Sequence, residues 1–185
     1  MKEYFESYTN LVNRLDDFFE KTRRRYPHAV ACKEGCSDCC QRDISLWPFE
    51  ADILVKAVLS LGESARMRIL QRAKRAEADP EFPCPLLYQG KCEVYENRSV
   101  ICRTHGLACL VSTTNGKKEL SFCPYNFQGL MKIDGDCVLD LDPVNQALAT
   151  INHLACSDSG TSPHRVKISR AMVRGLTRSE TGLGS

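Results

Sequence analysis

The sequence predicts an α+β fold: a single, helix-rich domain with small antiparallel hairpins organised around a cysteine metal cluster. Three observations lead to this prediction. Apolar residues recur at helical spacing through much of the first 78 residues. Two turn signals, Gln89-Gly90 and Asn115-Gly116, divide the second half into hairpins. Four of the 11 cysteines fall within residues 32–40.

The composition excludes several classes of protein. The chain has 185 residues, the size of one ordinary domain, and 43% of them are hydrophobic, which is enough for a core. The net charge of +2 gives no general reason to expect a nucleic-acid partner. No run approaches the ~18 apolar residues of a membrane span, and residues 1–25 lack the apolar segment of a signal peptide. We therefore expect a cytoplasmic protein without a membrane partner.

The cysteine content is unusually high, with 11 cysteines in 185 residues. A small secreted domain could use 11 cysteines in disulfides, but the number is odd and no secretion signal is recognised. In a reducing cytoplasm, clustered cysteines usually bind metal or carry redox chemistry. We expect one of these two uses here.

The first predicted element is an amphipathic helix over residues 3–25. Its last turn is basic, which suits the helix dipole, and Pro27 ends it. Its apolar residues at helical spacing are Tyr4, Tyr8, Leu11, Leu15, Phe18 and Phe19.

Two further helices are predicted over residues 48–60 and 63–78. Pro48 suits the first helical position, and Gly62 is the candidate C-cap of the first of these helices. The second helix carries a basic stripe, interpreted as a solvated face, with contact to an acidic protein partner as the sharper alternative. The stripe consists of Arg66, Arg68, Arg72, Lys74 and Arg75.

Two hairpins are predicted in the second half, over residues 84–95 and 108–123. Folding the second one about Asn115-Gly116 would pair Cys109 with Phe122 and leave Cys123 diagonal to Cys109 at the open end. Such a pair of neighbouring thiols would be a candidate redox-labile pair or auxiliary metal site.

The remaining elements are a strand over residues 136–141 that contains Cys137, and a helix capped by Asp142. On that helix His153 and Cys156 share a face, which makes them a possible ligand pair, although a histidine beside a core thiol is commoner. A cationic helix over residues 163–176 and a disordered end follow. The domain organisation is therefore predicted as a metal-binding domain over residues 1–158 and a basic helix with a flexible tail over residues 159–185.

The run Cys32-x3-Cys36-x2-Cys39-Cys40 carries the strongest functional signal. Thiolates bind soft or borderline metals such as zinc and iron, and these spacings let one turn of backbone aim two sulfurs at one point. Gly35 allows a positive φ there. Adjacent side chains diverge, so Cys39 and Cys40 either serve two metals or include one packed spectator. The alternative is a buried group of reduced cysteines without an ion.

These residues, together with three later motifs, resemble the CxxCxxCC family, the YkgJ-like cysteine-cluster proteins described as a zinc- or iron-chelating domain. The later motifs are Cys84-Pro85-Leu86, Gly90-x-Cys92-x-Val94-Tyr95 and Arg98-x3-Cys102-Arg103. The likeness covers about residues 32–105, with Cys123 as a further candidate. Ser99 departs from the proline that the family often has there. The cysteine pattern also resembles that of the larger flagellin lysine methylases, which carry an iron–sulfur cluster.

The resemblance implies that seven cysteines form the metal set: Cys32, Cys36, Cys39, Cys40, Cys84, Cys92 and Cys102. A structural zinc takes four ligands, so seven thiols imply either two zinc ions or an iron–sulfur centre. Iron–sulfur is preferred, because thiols dominate and histidines are few. His105 is the best non-thiol candidate; whether it, Cys109, Cys123 or Cys156 ligates stays open.

Three functions fit these features. The first is a metal-binding protein whose centre carries electrons, delivers metal or senses redox state. The second is an iron–sulfur enzyme of methyl- or radical-transfer type, for which the sequence offers no phosphate loop, nucleophile elbow or H-E-x-x-H motif. The third is a zinc-stapled interaction module whose basic helices bind a partner.

Overall fold

The computed structural model describes residues 2–180. In this range the helices are α1 (Glu3–Arg25), α2 (Pro48–Leu59), α3 (Glu63–Ala78), α4 (Val100–Thr104), α5 (Leu141–Ser159) and α6 (Ile168–Glu180). The strands are β1 (Ser45–Leu46), β2 (Leu87–Tyr88), β3 (Lys91–Cys92), β4 (Ala108–Ser112), β5 (Lys118–Ser121), β6 (Val138–Asp140) and β7 (Val166–Lys167). The predicted helix-rich α+β class is confirmed. Across the described residues, no helix is both long and apolar enough to cross a membrane.

The bounds of the first helices follow the sequence closely. The predictions for α1 and α3 are confirmed at both ends, and α2 begins at Pro48 as predicted. The prediction for Gly62 is wrong, because Ser60 is the C-cap of α2 and Gly62 is the N-cap of α3. The connection between the two helices is therefore tighter than a separate glycine C-cap would require.

The described chain divides into two compact units. Unit 1 contains residues 2–33 and 100–155, and unit 2 contains residues 34–99 and 156–180. The division falls between Lys33 and Glu34, inside the N-terminal cysteine cluster. The boundary predicted between residues 158 and 159 stays a prediction.

The core of unit 2 is built mainly from three helices. α6 packs against α2 and α3, and Gly175 permits the close approach, because a Cβ there would lie 2.4 Å from Cγ1 of Val55. The largest apolar side chains of this core include Leu46, Leu54, Val58, Ile69, Leu70, Leu86, Ile168, Met172 and Leu176. The hairpin of β2 and β3 packs on the same core through Leu87 and Cys92.

The C-terminal helix departs from its prediction at both ends. β7 occupies the predicted first turn and pairs antiparallel with β1, and α6 then runs from Ile168 to Glu180. The buried Asp43 carboxylate accepts hydrogen bonds from the Ser169 backbone N–H (3.1 Å) and hydroxyl (2.5 Å), which caps α6. The pairing with β1 and the bonds to Asp43 both involve residues more than 100 positions away in sequence. The local sequence pattern therefore could not locate the first residue of α6. Residues 181–185 of the predicted disordered end lie outside the described residues.

Unit 1 combines α1, α4, a three-stranded sheet and most of α5. α1 contacts α4, where the buried Arg103 pairs with Asp16. In the sheet β4 is central, antiparallel to β5 and parallel to β6. One apolar face of α5 is buried: Val144, Leu148, Ile151 and Ala155.

The register of the second hairpin is one residue away from the prediction. Cys109 pairs with Ser121, not with Phe122. The Thr113 N–H donates to the Lys117 carbonyl at 2.8 Å, and Gly116 adopts φ +74°, so a three-residue loop replaces the predicted two-residue turn. Cys123 follows β5 by two residues, and the predicted proximity of Cys109 and Cys123 stays a prediction.

The segment around Cys137 also differs from its prediction. Cys137 ends a one-turn 3-10 helix (Gly135–Cys137) instead of lying within a strand, and β6 begins at the next residue. α5 begins at Leu141, one residue before the predicted cap. β6 pairs in parallel with β4 over three residues, 138–140.

Candidate metal centre

The cysteine-rich loop that opens unit 2 is shaped by backbone turns. Gly35 adopts φ +90°, as the sequence predicts, in a region that side chains disfavour. Residues Asp38–Cys40 form a 3-10 turn, in which the Cys40 N–H donates to the Ser37 carbonyl at 2.9 Å. Three thiols, those of residues 36, 39 and 40, therefore follow one another around a short loop.

A backbone hydrogen bond ties this loop to the second cysteine motif. The Cys84 N–H donates to the Cys40 carbonyl at 2.9 Å. Cys84 is buried in the core of unit 2, and Cys40 packs against that core from the side. Two motifs that are distant in sequence are thus in direct contact within one unit.

The basic stripe of α3 holds the same region in place. Arg72 donates through Nε to the Pro85 carbonyl at 3.2 Å, and its Nη2 lies 3.5 Å from the Cys84 carbonyl. Arg68 forms an ion pair with Glu93 and stacks on the Tyr88 ring, with its guanidinium carbon 4.1 Å from the ring centroid. The interpretation of this stripe as a solvated face is therefore wrong for these two arginines, because they dock the hairpin that carries Cys84 and Cys92.

Cys92, on β3, lies within electrostatic range of the loop. Burial raises its pKa most, the Val94 N–H and the Arg98 guanidinium oppose that rise, and the negative charges of Glu93 and Cys39 add to it. Cys39 is the smallest of these influences, so the exposed thiol of the loop is close enough to the half-buried thiol of the hairpin to affect its pKa slightly.

Cys36 is affected by the loop itself. Its thiol donates to the Asp38 carboxylate at 3.6 Å. Burial is the main cause that raises the pKa of Cys36, and the charges of Asp38 and Cys39 contribute in the same direction. The influence of Cys39 is the smallest of these causes.

The first cysteine of the cluster belongs to unit 1, where it meets residues that the sequence analysis missed. The Asn126 side chain donates from Nδ2 to Cys32 Sγ at 3.3 Å and to the Gly106 carbonyl. A Cβ at Gly106 would lie 2.5 Å from Cys32 Sγ. Neither residue stands in a recognisable motif, and no local signal in the sequence could have identified them.

The other predicted candidates lie in different surroundings. Cys102 is half-buried on α4 of unit 1. Cys109, Cys123, Cys137 and Cys156 are all buried, and burial raises the pKa of Cys109 to about 11. His105 and His153 are exposed, so the possible pair of His153 and Cys156 combines one exposed and one buried side chain.

The predicted ligands suit a thiophilic metal because they are thiols, although their positions do not form a complete coordination shell. All 11 cysteines lie among residues 2–180 and are in the thiol form. Within those residues, no three side chains of the cysteine, histidine or carboxylate type stand in position to hold one ion. In unit 2, however, the charge of Cys39 influences both Cys36 and Cys92, and the Cys84 N–H donates to the Cys40 carbonyl. Zinc and iron–sulfur centres both prefer such thiolate donors.

The comparison with known families gives one match. The model of the CxxCxxCC family, described as "Putative zinc- or iron-chelating domain", matches residues 31–124, just over half of the chain. No curated protein and no solved structure matches. The matched range contains all seven cysteines of the predicted metal set as well as Cys109 and Cys123.

Proposed function

The chain belongs to the CxxCxxCC family of zinc- or iron-chelating domains, and from that premise we propose that its clustered thiols bind metal as an iron–sulfur centre or as zinc. The proposed ligands are Cys32, Cys36, Cys39, Cys40, Cys84, Cys92 and Cys102. Iron–sulfur is proposed ahead of zinc, because thiols dominate the donor set and histidines are few. The proposed role is electron transfer, metal handling or redox sensing in the cytoplasm.

The observation that carries this proposal is the contact between the cysteine loop and the hairpin. The Cys84 N–H bonded to the Cys40 carbonyl brings the second motif to the first, and the charge of Cys39 reaches Cys92. A core of reduced cysteines without an ion would not need the exposed Cys39, since an exposed thiol adds nothing to packing. The contact supports the proposal because it joins two of the separate segments from which the proposed ligands come.

When bound, the centre would supply one-electron chemistry if it is iron–sulfur, or a structural crosslink if it is zinc. The chain's own residues do the remaining work. Leu86 and Leu87 bury the hairpin side of the thiols and exclude water there. Arg72 donates to the Pro85 carbonyl and so helps to hold the backbone beside Cys84.

Metal analysis of protein purified without oxygen tests the proposal. We expect stoichiometric iron with acid-labile sulfide and visible absorption, or else stoichiometric zinc. Zinc alone would overturn the preference for iron, and failure to retain either metal, both as purified and after reconstitution, would overturn the proposal itself.

Single variants identify which thiols matter in that experiment. Cys40→Ala and Cys84→Ala are expected to lose most of the metal, because a closed shell with one ligand missing binds poorly. Cys137→Ala is the matched control: it removes a fully buried thiol outside the proposed set and should leave the metal content unchanged.

A second candidate function, binding of an acidic protein partner, is supported by a groove in unit 2. The groove has a volume of about 1320 Å³ and runs between α2, α6 and residues 161–167. Its cationic lining residues are Arg165, Lys167, Arg170, Arg174 and Arg178, against the two carboxylates of Asp52 and Glu77. Arg170 is paired with Glu77 at 3.3 Å. The excess positive charge is complementary to an acidic segment.

A poly-glutamate peptide tests the groove directly. We expect salt-sensitive binding by the metal-loaded protein that Arg174→Glu abolishes and Arg14→Glu, an exposed change on α1, leaves intact. Equal loss in both variants would mean that overall charge rather than the groove attracts the peptide.

A further inference from the structure

The side chain of Asn126 forms three hydrogen bonds within unit 1. Its side chain is completely buried. Oδ1 accepts from the Ala31 N–H at 2.8 Å, and Nδ2 donates to the Gly106 carbonyl at 2.5 Å and to Cys32 Sγ at 3.3 Å. Both amide hydrogens and the amide oxygen are therefore used.

The surroundings determine the orientation of this amide. A flipped side chain would place its oxygen against the Gly106 carbonyl and its NH₂ against the Ala31 N–H, which are two repulsive contacts. The backbone is held on both sides, because the Phe127 N–H donates to the Ala29 carbonyl at 2.6 Å and the Asn126 N–H donates to the Cys123 carbonyl at 2.9 Å. The N–H that points at the sulfur is thus fixed by its neighbours.

Gly106 supplies the space that this contact needs. A Cβ at position 106 would lie 2.5 Å from Cys32 Sγ, 3.0 Å from Cys32 Cβ and 3.2 Å from Asn126 Nδ2. These distances are below or near the shortest that real Cβ atoms show, and the atoms involved belong to a short side chain and a buried amide with little freedom to move. A glycine is therefore required as long as the sulfur stays beside the amide.

We propose that Asn126 is a positioning residue for the metal centre, which acts by holding Cys32 through an N–H···S hydrogen bond in the pocket that Gly106 leaves open. The inference rests on the proposed function, in which Cys32 is a ligand. A hydrogen bond to a ligating sulfur orients that ligand, and in iron–sulfur proteins such bonds also tune the reduction potential. Asn126 lies outside the residues that match the family, 31–124.

The first test needs no metal. In metal-free protein, Asn126→Asp replaces the donating NH₂ by an oxygen, and Gly106→Ala crowds the sulfur while leaving the amide intact. Gly106→Ala should raise the rate of alkylation at Cys32 several-fold, because it displaces the sulfur from its pocket, whereas Asn126→Asp should lower that rate, because a carboxylate beside the sulfur disfavours the reactive thiolate. Mass spectrometry measures the rates residue by residue, and the rate at Cys109 should be unchanged. Gly135→Ala, which meets nothing within 4 Å, and Asn152→Asp, at an equally buried asparagine of unit 1, are the matched controls. An unchanged rate at Cys32 in both test variants would overturn the positioning role.

The second test uses metal-loaded protein. Asn126→Asp should weaken metal binding by about 10- to 100-fold in chelator competition, and for an iron–sulfur centre it should shift the absorption bands and the reduction potential. In a Cys32→Ala background the same change should have no further effect, because the residue acts through that sulfur. An equal loss with and without Cys32 would contradict the inference.

The two tests separate the two proposals. If the native chain binds no metal, the proposed function and the tuning role of Asn126 fail together, while the alkylation rates still decide whether Asn126 holds Cys32. If metal binds normally and Asn126→Asp changes neither the affinity nor the spectrum, only the inference fails. Should Asn126→Asp not fold, as judged by circular dichroism, Gly106→Ala decides both tests.

Discussion

Unit 1 and unit 2 use their cysteines in different ways. In unit 1, Cys109, Cys123 and Cys137 are 5%, 6% and 0% exposed and pack as small apolar side chains. In unit 2, the cysteines of the loop are half-buried or exposed, and the loop bonds to a hairpin that carries two more. The three buried thiols of unit 1 therefore serve packing, whereas the half-buried Cys32 and Cys102 of the same unit belong, with the loop and hairpin thiols of unit 2, to the proposed ligands.

The buried thiol Cys109 of unit 1 and the hairpin thiol Cys92 of unit 2 also differ in what sets their pKa values. The pKa of Cys109 is raised to about 11 by burial alone, whereas the pKa of Cys92 is set by burial together with the charges of Arg98, Glu93 and Cys39. An isolated buried thiol is inert, and a thiol among other charges is a candidate ligand. The expectation of a redox-labile pair at 109 and 123 stays a prediction.

The largest expected effect that tests this comparison is metal removal. Chelation should lower the hydrogen-exchange protection of residues 34–40 and 84–98 strongly, because binding free energy on the order of 10 kcal/mol is folding free energy in structural zinc peptides. The strand β4 in unit 1 should keep most of its protection. Equal protection of residues 84–98 with and without metal would show that the metal does not organise the hairpin.

Alkaline pH should affect the buried thiol of unit 1. Cys109 has a pKa of about 11 in the folded chain, against the ordinary value of 9.0, so the unfolded chain loses its proton first. Stability from this group is fully present below about pH 9 and falls as the pH rises toward 11, by about 2–3 kcal/mol in total. Urea unfolding between pH 8 and 11 measures this fall, and Cys109→Ala should reduce its size. An unchanged pH dependence in that variant would contradict the assignment.

Truncation of a core thiol should be milder and independent of metal. Cys137→Ala removes one sulfur from a fully buried site and should cost about 1–2 kcal/mol, which is at the small end of core truncations. Thermal unfolding and metal analysis of the same preparation check both halves of this prediction. A loss of metal would place Cys137 among the ligands.

The smallest expected effect concerns the arginine that docks the hairpin. Arg72→Met keeps the apolar stem but removes the bond to the Pro85 carbonyl, so unit 2 should lose about 1 kcal/mol. Lys74→Met, an exposed change on the same helix, is the control and should be close to neutral. Equal costs for the two variants, measured by urea unfolding, would mean that Arg72 does not hold the hairpin.

Local sequence signals correctly predicted the elements whose ends depend on neighbouring residues. α1 and α3 end where charge, proline and apolar spacing predict. The first hairpin turns at Gln89 and Gly90, both of which have positive φ. The second hairpin shows the limit of such signals, because Asn115-Gly116 serves equally well in a three-residue loop, and the choice between the two loops moves every pair in the ladder by one residue.

The candidate metal site also combines features that depend on local sequence with contacts that depend on the whole fold. The sequence by itself determined which thiols are chemically able to bind metal, because close spacing and residue type are local properties. Only the tertiary structure decided that Cys84 lies against Cys40, that α3 arginines hold the hairpin instead of facing solvent, and that Asn126 and Gly106 enclose the Cys32 sulfur. Each of these contacts joins residues that are distant in sequence, and it exists because packing and hydrogen-bond satisfaction are settled by the whole fold.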